Sequence, residues 1–316
     1  SGSASVSDLE LEELSAKRFA APAPVTGPTL TATEEVAYSS TITWTDGDGT
    51  DVVLSCSGCS GWITFADGGS SANTAAITGT PADSDVGSDT ITISGVSGGQ
   101  TTQISYTIVT SEVNDEPTAS ASAAGGTFTE GGSNVVMFTG ADVADSDSQV
   151  AQTWDKIVIT ITNVADAEEY LVIDGSECDI TAAATCNGNT ATNSGSAVVT
   201  LGGGLPTTAT VTWTADDGTV DDSEMEALIN ALAYKNDDDD PTAGARVITI
   251  TQLDDEGSTG GNHDASVSLS IAATATVVAV NDAPVNTVSG AVSGGEDTAI
   301  SIATNSIADA DHTSLT

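Results

Sequence analysis

Thr90-Ile91-Thr92-Ile93, then Gln103-Ile104-Ser105-Tyr106-Thr107-Ile108, then Val113-Asn114-Asp115-Glu116-Pro117: two runs in which apolar and polar side chains alternate are followed by an acidic joint closed by proline. Period-two alternation puts the isoleucines on one face of a strand and the hydroxyls on the other. Similar runs precede them at Thr41-Ile42-Thr43-Trp44, Val52-Val53-Leu54, Trp62-Ile63-Thr64-Phe65 and Ala76-Ile77-Thr78-Gly79, with Gly, Asp and Ser between. Short strands separated by frequent turn signals predict a β-sandwich.

The 316 residues exceed one ordinary sandwich, and a domain per roughly 150 residues gives two or three. A second joint, Val280-Asn281-Asp282-Ala283-Pro284, repeats the first and divides the chain into a leader at 1–23, a sandwich at 24–115, a longer sandwich at 116–282 and the start of a third domain at 283–316. That last piece is too short to bury a core, so a longer natural chain is expected. Aromatics are only 4% of residues, which predicts modest cores of β-branched and small side chains. Trp44, Trp62, Trp154 and Trp213 lie in strand-like runs without an aromatic cluster and read as core.

In the leader, Ser7-Asp8-Leu9-Glu10 spells a capping box, Lys17 and Arg18 close the run, and Pro22 and Pro24 stop it, which predicts a short helix. Such a helix is marginal alone and needs something to dock on. In the longer domain Ser223-Glu224-Met225-Glu226 is again a capping-box spelling, and Met225, Leu228, Ile229 and Leu232 follow at helical spacing. The expected class is therefore all-β: tandem antiparallel sandwiches with two short helices.

The formal net charge is −41, from 46 acidic and 5 basic residues. Such a charge opposes a compact fold by self-repulsion unless cations screen or bind the carboxylates; solubility or a salty medium is the alternative reading. Nucleic acid is excluded as a partner, because Lys17, Arg18, Lys156, Lys235 and Arg246 are scattered and too few to neutralise phosphates. The most apolar stretch, Leu269 to Val280, is short and studded with Ser and Thr, so no membrane span is expected in this segment.

Cys56 with Cys59, and Cys178 with Cys186, form two close pairs in polar loops. Neither has the second Cys or His pair of a zinc site, nor the βαβ surroundings of a redox motif. Local disulfides that pin turns are expected, and with them an oxidising, extracytoplasmic setting. No nucleophile elbow, phosphate-cradling loop or metalloprotease helix is present in the sequence, and an enzyme is not expected.

Both Asn-Asp joints resemble the interdomain linkers of bacterial cadherin-like and Ig-like repeat proteins of the cell surface. Gly61-Trp62-Ile63-Thr64-Phe65, Ile77-Thr78-Gly79-Thr80-Pro81 and Asp85-Val86-Gly87 resemble a dystroglycan-type cadherin-like repeat. The stretch from Ala227 to Tyr234, with Asp239-Asp240-Pro241-Thr242 and Arg246-Val247-Ile248-Thr249-Ile250, is similar to a longer cadherin-like, chondroitin-sulfate-proteoglycan-type repeat. Gly295-Glu296-Asp297-Thr298 and Ala308-Asp309-Ala310-Asp311 look like the opening of another repeat.

The resemblance implies an extended rod whose joints bind Ca2+. Its ligands would be an early acid, an Asp-x-Asp and the linker Asn-Asp. The first domain offers Glu34 or Glu35, then Asp46, Asp48 and Asp51; the second Glu130, then Asp145 and Asp147; the third Glu296 and Asp297, then Asp309 and Asp311. The linker residues are Asn114, Asp115, Asn281 and Asp282. Calcium takes six to eight such oxygens. The run Asp237 to Asp240 and the cluster Asp254, Asp255 and Glu256 read as solvated loop faces, with a bound cation as the alternative, and His263 beside Asp264 as a loop histidine. The implied role is a calcium-stiffened, non-enzymatic stalk at the bacterial surface or matrix. It would be engaged with other surface or matrix proteins or with copies of itself. A subunit of a self-assembling filament, sheath or surface layer is the alternative, and an accessory module of a large secreted enzyme the second.

Overall fold

The structure is a computed structural model and describes residues 20–69, 71–145, 153–186, 195–216, 220–255, 269–288, 290–297, 299–300 and 306–311. The expected leader helix, Asp147, Glu256, His263 and Asp264 lie outside the described residues. The chain divides into two compact units, whose described parts meet in sequence between Asp115 and Glu116.

The first unit is built from β1 (Ala23–Thr26), β2 (Thr31–Thr33), β3 (Tyr38–Thr45), β4 (Val53–Ser57), β5 (Thr64–Asp67), β6 (Thr74–Gly79), β7 (Gly87–Ser97) and β8 (Gln100–Ser111). They form two four-stranded sheets, β1-β3-β6-β5 and β2-β8-β7-β4. Alternation does what the sequence requires: Ile42 and Trp44 of β3, Ile77 of β6, Ile91 and Ile93 of β7 and Ile108 of β8 are buried between the sheets. Tyr38 meets Trp62 edge-on with ring centres 5.5 Å apart. Trp62 stands just ahead of β5 rather than in a strand, donating from Nε1 to Asp89 Oδ2 at 2.8 Å. The pairings are antiparallel except at one edge, where β2 runs parallel to β8 with Thr33 opposite Ser111.

The second unit contains β9 (Thr118–Ala123), β10 (Gly126–Thr129), β11 (Val135–Val136), β12 (Phe138–Ala144), β13 (Trp154–Val164), β14 (Glu169–Ile173), β15 (Ser176–Asp179), β16 (Ala184–Cys186), β17 (Gly195–Leu201) and β18 (Thr207–Ala215). Helix α1 (Asp222–Ala231) follows, then β19 (Ala233–Asn236), β20 (Gly244–Asp255), β21 (Ile271–Val278), β22 (Val285–Thr287) and β23 (Ser306–Ala308). A seven-stranded sheet, β10-β21-β20-β13-β18-β17-β16, shares its core with a four-stranded sheet, β11-β19-β14-β15, and with α1. Here too the first strand of the large sheet, β10, is parallel to a late one, β21. The two parallel edges depart from the purely antiparallel expectation.

Helix α1 begins two residues before the expected cap. Asp221 is the N-cap, its Oδ1 accepting from Glu224 N at 3.0 Å while Glu224 Oε2 accepts from Asp221 N at 3.1 Å. Trp154 Nε1 donates to Asp222 Oδ1 at 2.9 Å, tying this first turn to β13. Met225, Leu228 and Ile229 face the core as their spacing requires.

Alternation along Arg246, Ile248 and Ile250 turns the arginine inward, where it is 2% exposed. A buried guanidinium needs an acceptor for each donor face. Nε and Nη2 reach Glu169 Oε1 at 3.1 and 2.9 Å, and Nη2 reaches Asp166 Oδ2 and the Thr242 carbonyl, each at 3.0 Å. Tyr234 donates to Glu169 Oε2 at 2.9 Å and Asn236 Nδ2 to Asp166 Oδ2 at 2.8 Å.

The cysteines are paired as expected, with Cα–Cα distances of 5.8 Å for Cys56–Cys59 and 5.3 Å for Cys178–Cys186. The second bond does more than pin a turn: it joins β15 of the smaller sheet to β16 at the edge of the larger one. Asp254 and Asp255 are buried rather than solvated. They belong to the end of β20, where irregular pairing with β13 sets Asp254 opposite Lys156, its ion-pair partner.

Candidate cation-binding joints

Where β2 ends beside β8, Glu34 N donates to the Ser111 carbonyl at 3.1 Å, carrying the parallel pairing one residue further. The Glu34 side chain then reaches along the departing chain, and its Oε1 accepts from Val113 N, the residue before Asn114-Asp115. Where β10 ends beside β21, Glu130 N donates to the Val278 carbonyl at 3.0 Å, and Glu130 Oε2 accepts from Val280 N at 2.7 Å. Asn281-Asp282 follows. The two joints have the same construction. In each, the linker asparagine donates from Nδ2 to the next aspartate's carbonyl, at 3.2 Å for Asn114 and 2.6 Å for Asn281.

The two early acids of the first domain are placed differently. Glu34 is 2% exposed and faces the linker, whereas Glu35 points to solvent with φ +56°. The residues after Glu130 and Glu296, Gly131 and Asp297, have φ +66° and +63°. Position two of this turn is left-handed each time. The shared spelling Thr31-Ala32-Thr33-Glu34 and Thr127-Phe128-Thr129-Glu130 is the sequence signal that distinguishes Glu34.

The electrostatics at Glu34 are unfavourable for a bare carboxylate. Burial pushes its carboxyl above the ordinary value, the Val113 N–H opposes this, and the carboxylates of Asp115, Asp83 and Glu112 push it up further. Its Oε2 is buried and accepts no hydrogen bond. Asp83 and Glu112 complete an acidic neighbourhood that sequence reasoning did not assemble, since Asp83 arrives from the 3-10 turn Asp83–Asp85 far away in the chain.

The Asp-x-Asp elements occupy the other ends of the repeats. Asp46 and Asp48 follow β3, eight residues of strand away from the Glu34 turn, and so do not meet Asn114-Asp115. There Asp46 Oδ1 accepts from Asp48 N at 3.0 Å, and Asp48 Oδ1 accepts from Thr50 N at 3.0 Å. The Asp48 N–H and the Ser97 and Thr50 hydroxyls hold the Asp46 carboxyl below its usual range. Asp51 accepts from Ser71 Oγ at 3.4 Å in the same region. Asp145 follows Ala144, which is paired with Thr118, and so stands where the second unit begins. Asp309 and Asp311 repeat the Asp46 turn, Asp311 N donating to Asp309 Oδ1 at 3.1 Å. Asp311 also reaches the linker, its Oδ2 accepting from Asp282 N. The second linker is thus touched from two sides, by Glu130 at Val280 and by Asp311 at Asp282. Glu296 and Asp297 are exposed. The Asp237–Asp240 run is a chain of backbone-capping turns, with Asp237 paired to Lys235 at 2.6 Å.

Among the described residues, no three His, Cys, Asp or Glu side chains are already drawn tightly enough to hold a metal ion. The donor chemistry nonetheless fits a hard cation: every candidate atom is oxygen, and Glu34 Oε2 is buried without a partner.

No family model matches the chain, and no curated protein matches it. Among solved structures it is similar to human protocadherin-24 EC1-2, at 13% identity and a TM-score of 0.42, over 83% of this chain and 100% of that one. It is also similar to an I-band fragment of titin, at 9% identity and a TM-score of 0.26, over 84% of this chain and 68% of that one. An endo-fucoidan hydrolase of glycoside hydrolase family 107 matches at 15% identity and a TM-score of 0.28, over 83% of this chain. The chain spans 29% of that enzyme's length. Similarity at this level carries no functional statement. The fold itself is all-β, of sandwich units with a single α-helix among the described residues.

Proposed function

We propose that this chain is a segment of a non-enzymatic extracellular repeat protein with a structural or adhesive role, a rod whose joints are stiffened by calcium. One observation carries the reading: the same joint is built twice, with Glu34 bound to Val113 and Glu130 to Val280, each directly before an Asn-Asp. Gathered carboxylates repel one another, so a joint without a cation is held open by its own charge. Calcium, when bound, would supply the positive charge that draws early acid, linker and Asp-x-Asp together. Carboxylate-rich sites of weak affinity suit the millimolar calcium outside cells. The two disulfides support an oxidising, extracytoplasmic setting. Partners of such a stalk are other surface or matrix proteins, or copies of itself.

The test is a calcium titration of this chain followed by melting temperature and small-angle scattering together, with Glu34→Gln, Glu130→Gln and Asp282→Ala alongside. Calcium is expected to raise the melting temperature and narrow the distribution of shapes, with a weaker response in each variant. If the wild-type chain ignores calcium in both readouts, the acidity is solvation and the calcium rod is discarded.

A further inference from the structure

We propose that the outer face of the seven-stranded sheet is a self-association surface, on which a second copy of this chain packs sheet against sheet. The proposal rests on the structural or adhesive reading above and assigns a face to it. The buried residues Ile157, Ile159 and Ile161 of β13 point into the core, so the alternate positions of the sheet form its outer side. One register row crosses five strands as Thr200, Thr210, Thr160, Thr249 and Ala272. The rows on either side contain Val198, Thr212 and Val158, and Thr162, Val247 and Thr274. None of these carries a charge. Among the described residues charge comes in at the rim, where Lys156 and Asp254 pair with each other and Asp155 precedes Lys156 on β13.

Strand propensity accounts for threonine and valine at these positions. It does not account for the absence of carboxylates from the rows of a chain with 46 acidic residues. Two copies at −41 repel each other wherever their acids meet, so a carboxylate-free face is where they approach at least cost. Five strands about 4.8 Å apart, with three outward rows repeating about every 6.7 Å, give on the order of 500 Å2. A standard interface uses roughly 800 Å2 per partner and weak ones less, so the face fits a weak dimer; Val198 on it is 44% exposed. Threonine and valine are stiff at χ1 and lose little side-chain freedom when covered. Their methyls pack and the hydroxyls hydrogen-bond across a two-fold axis, with the sheets aligned or crossed. The outer face of β2-β8-β7-β4 is also rich in hydroxyls, but there they bond one another, as Thr92 Oγ1 with Ser105 Oγ at 2.9 Å and Gln103 Nε2 with Ser94 Oγ at 2.8 Å.

Sedimentation equilibrium of this chain in EDTA, at low and high salt, tests the proposal with two double variants, Thr160→Glu/Thr249→Glu and Thr160→Lys/Thr249→Lys. The wild type is expected to dimerise more tightly as salt screens its charge. Both variants should weaken dimerisation by roughly tenfold or more; because Thr160 stands opposite Thr249, the paired like charges also lower the melting temperature of the monomer somewhat, and association is measured well below it. The lysine variant is decisive, because it lowers the net negative charge and would strengthen association governed by overall repulsion alone. The proposal is overturned if the wild type stays monomeric at every salt concentration, or if the lysine variant associates as well as the wild type. It is equally overturned if the monomeric wild type instead co-sediments with an insoluble uncharged glucan. Working in EDTA separates this face from the joints: dimerisation without calcium stiffening leaves it standing, and stiffening without dimerisation removes it alone.

Discussion

Arg246 lies buried in the second unit between the carboxylates of Asp166 and Glu169. Replacing it with Met leaves Asp166 and Glu169 as buried carboxylates facing each other without a cation, and breaking such a set costs about 3–5 kcal/mol. Urea unfolding of Arg246→Met is expected to show that loss. The same network sets an acid limit. Burial pushes the Asp166 carboxyl up, but bonds from Thr242 and Asn236 and the charge of Arg246 outweigh it and hold the group below its ordinary 3.8. A group lowered in the folded state contributes stability that is complete above its unfolded value and is lost as pH falls through the folded one. Stability of the second unit is therefore expected to hold down to about pH 4 on this account and to fall below it, with the acid dependence reduced in Asp166→Asn. The inward direction of Arg246 was legible in its alternation with Ile248 and Ile250. Its partners were not, because they lie 77 and 80 residues away and nothing local marks them.

The turn that ends β2 and β10 shows how an element separates ligand from scaffold. Since Glu35 sits at φ +56° where the second repeat has Gly131, Glu35→Gly is expected to leave stability within about 1 kcal/mol. It should also leave calcium affinity unchanged, whereas Glu34→Gln lowers it; calorimetry of the two variants distinguishes them. Close approach governs another position. A Cβ on Gly79 would stand 1.8 Å from the Trp62 carbonyl oxygen, so β6 and the segment before β5 would have to part. Gly79→Ala is expected to cost about 1–3 kcal/mol in chemical denaturation. The strands themselves were readable from period-two alternation because one face of each is buried. The frame of α1 was not, since Asp221 with Glu224 and Ser223 with Glu226 both spell a cap, and the observed start is accompanied by a contact from Trp154, distant in sequence.

For the whole molecule, charge is the property that composition determines and folding must accommodate. With −41 spread over 316 residues, salt is expected to raise the melting temperature even in EDTA, most steeply below about 0.1 M where the Debye length exceeds 10 Å. A melting temperature indifferent to sodium chloride would mean that the carboxylates are too far apart to repel. The division near Asp115 was visible in the sequence because turn residues and a proline punctuate it. The parallel edges were hidden, since the direction of a three-residue strand leaves no trace in its composition. Those edges matter for load. β2 lies near the start of its unit and β8 at its end, and both run the same way. Tension applied through the two ends would therefore drag them past each other lengthwise, straining their hydrogen bonds all at once rather than unzipping them singly. The Glu34–Val113 contact sits at the far end of that pair like a pin across a sliding bolt, which makes the unit a candidate for resisting pull as well as for spanning distance.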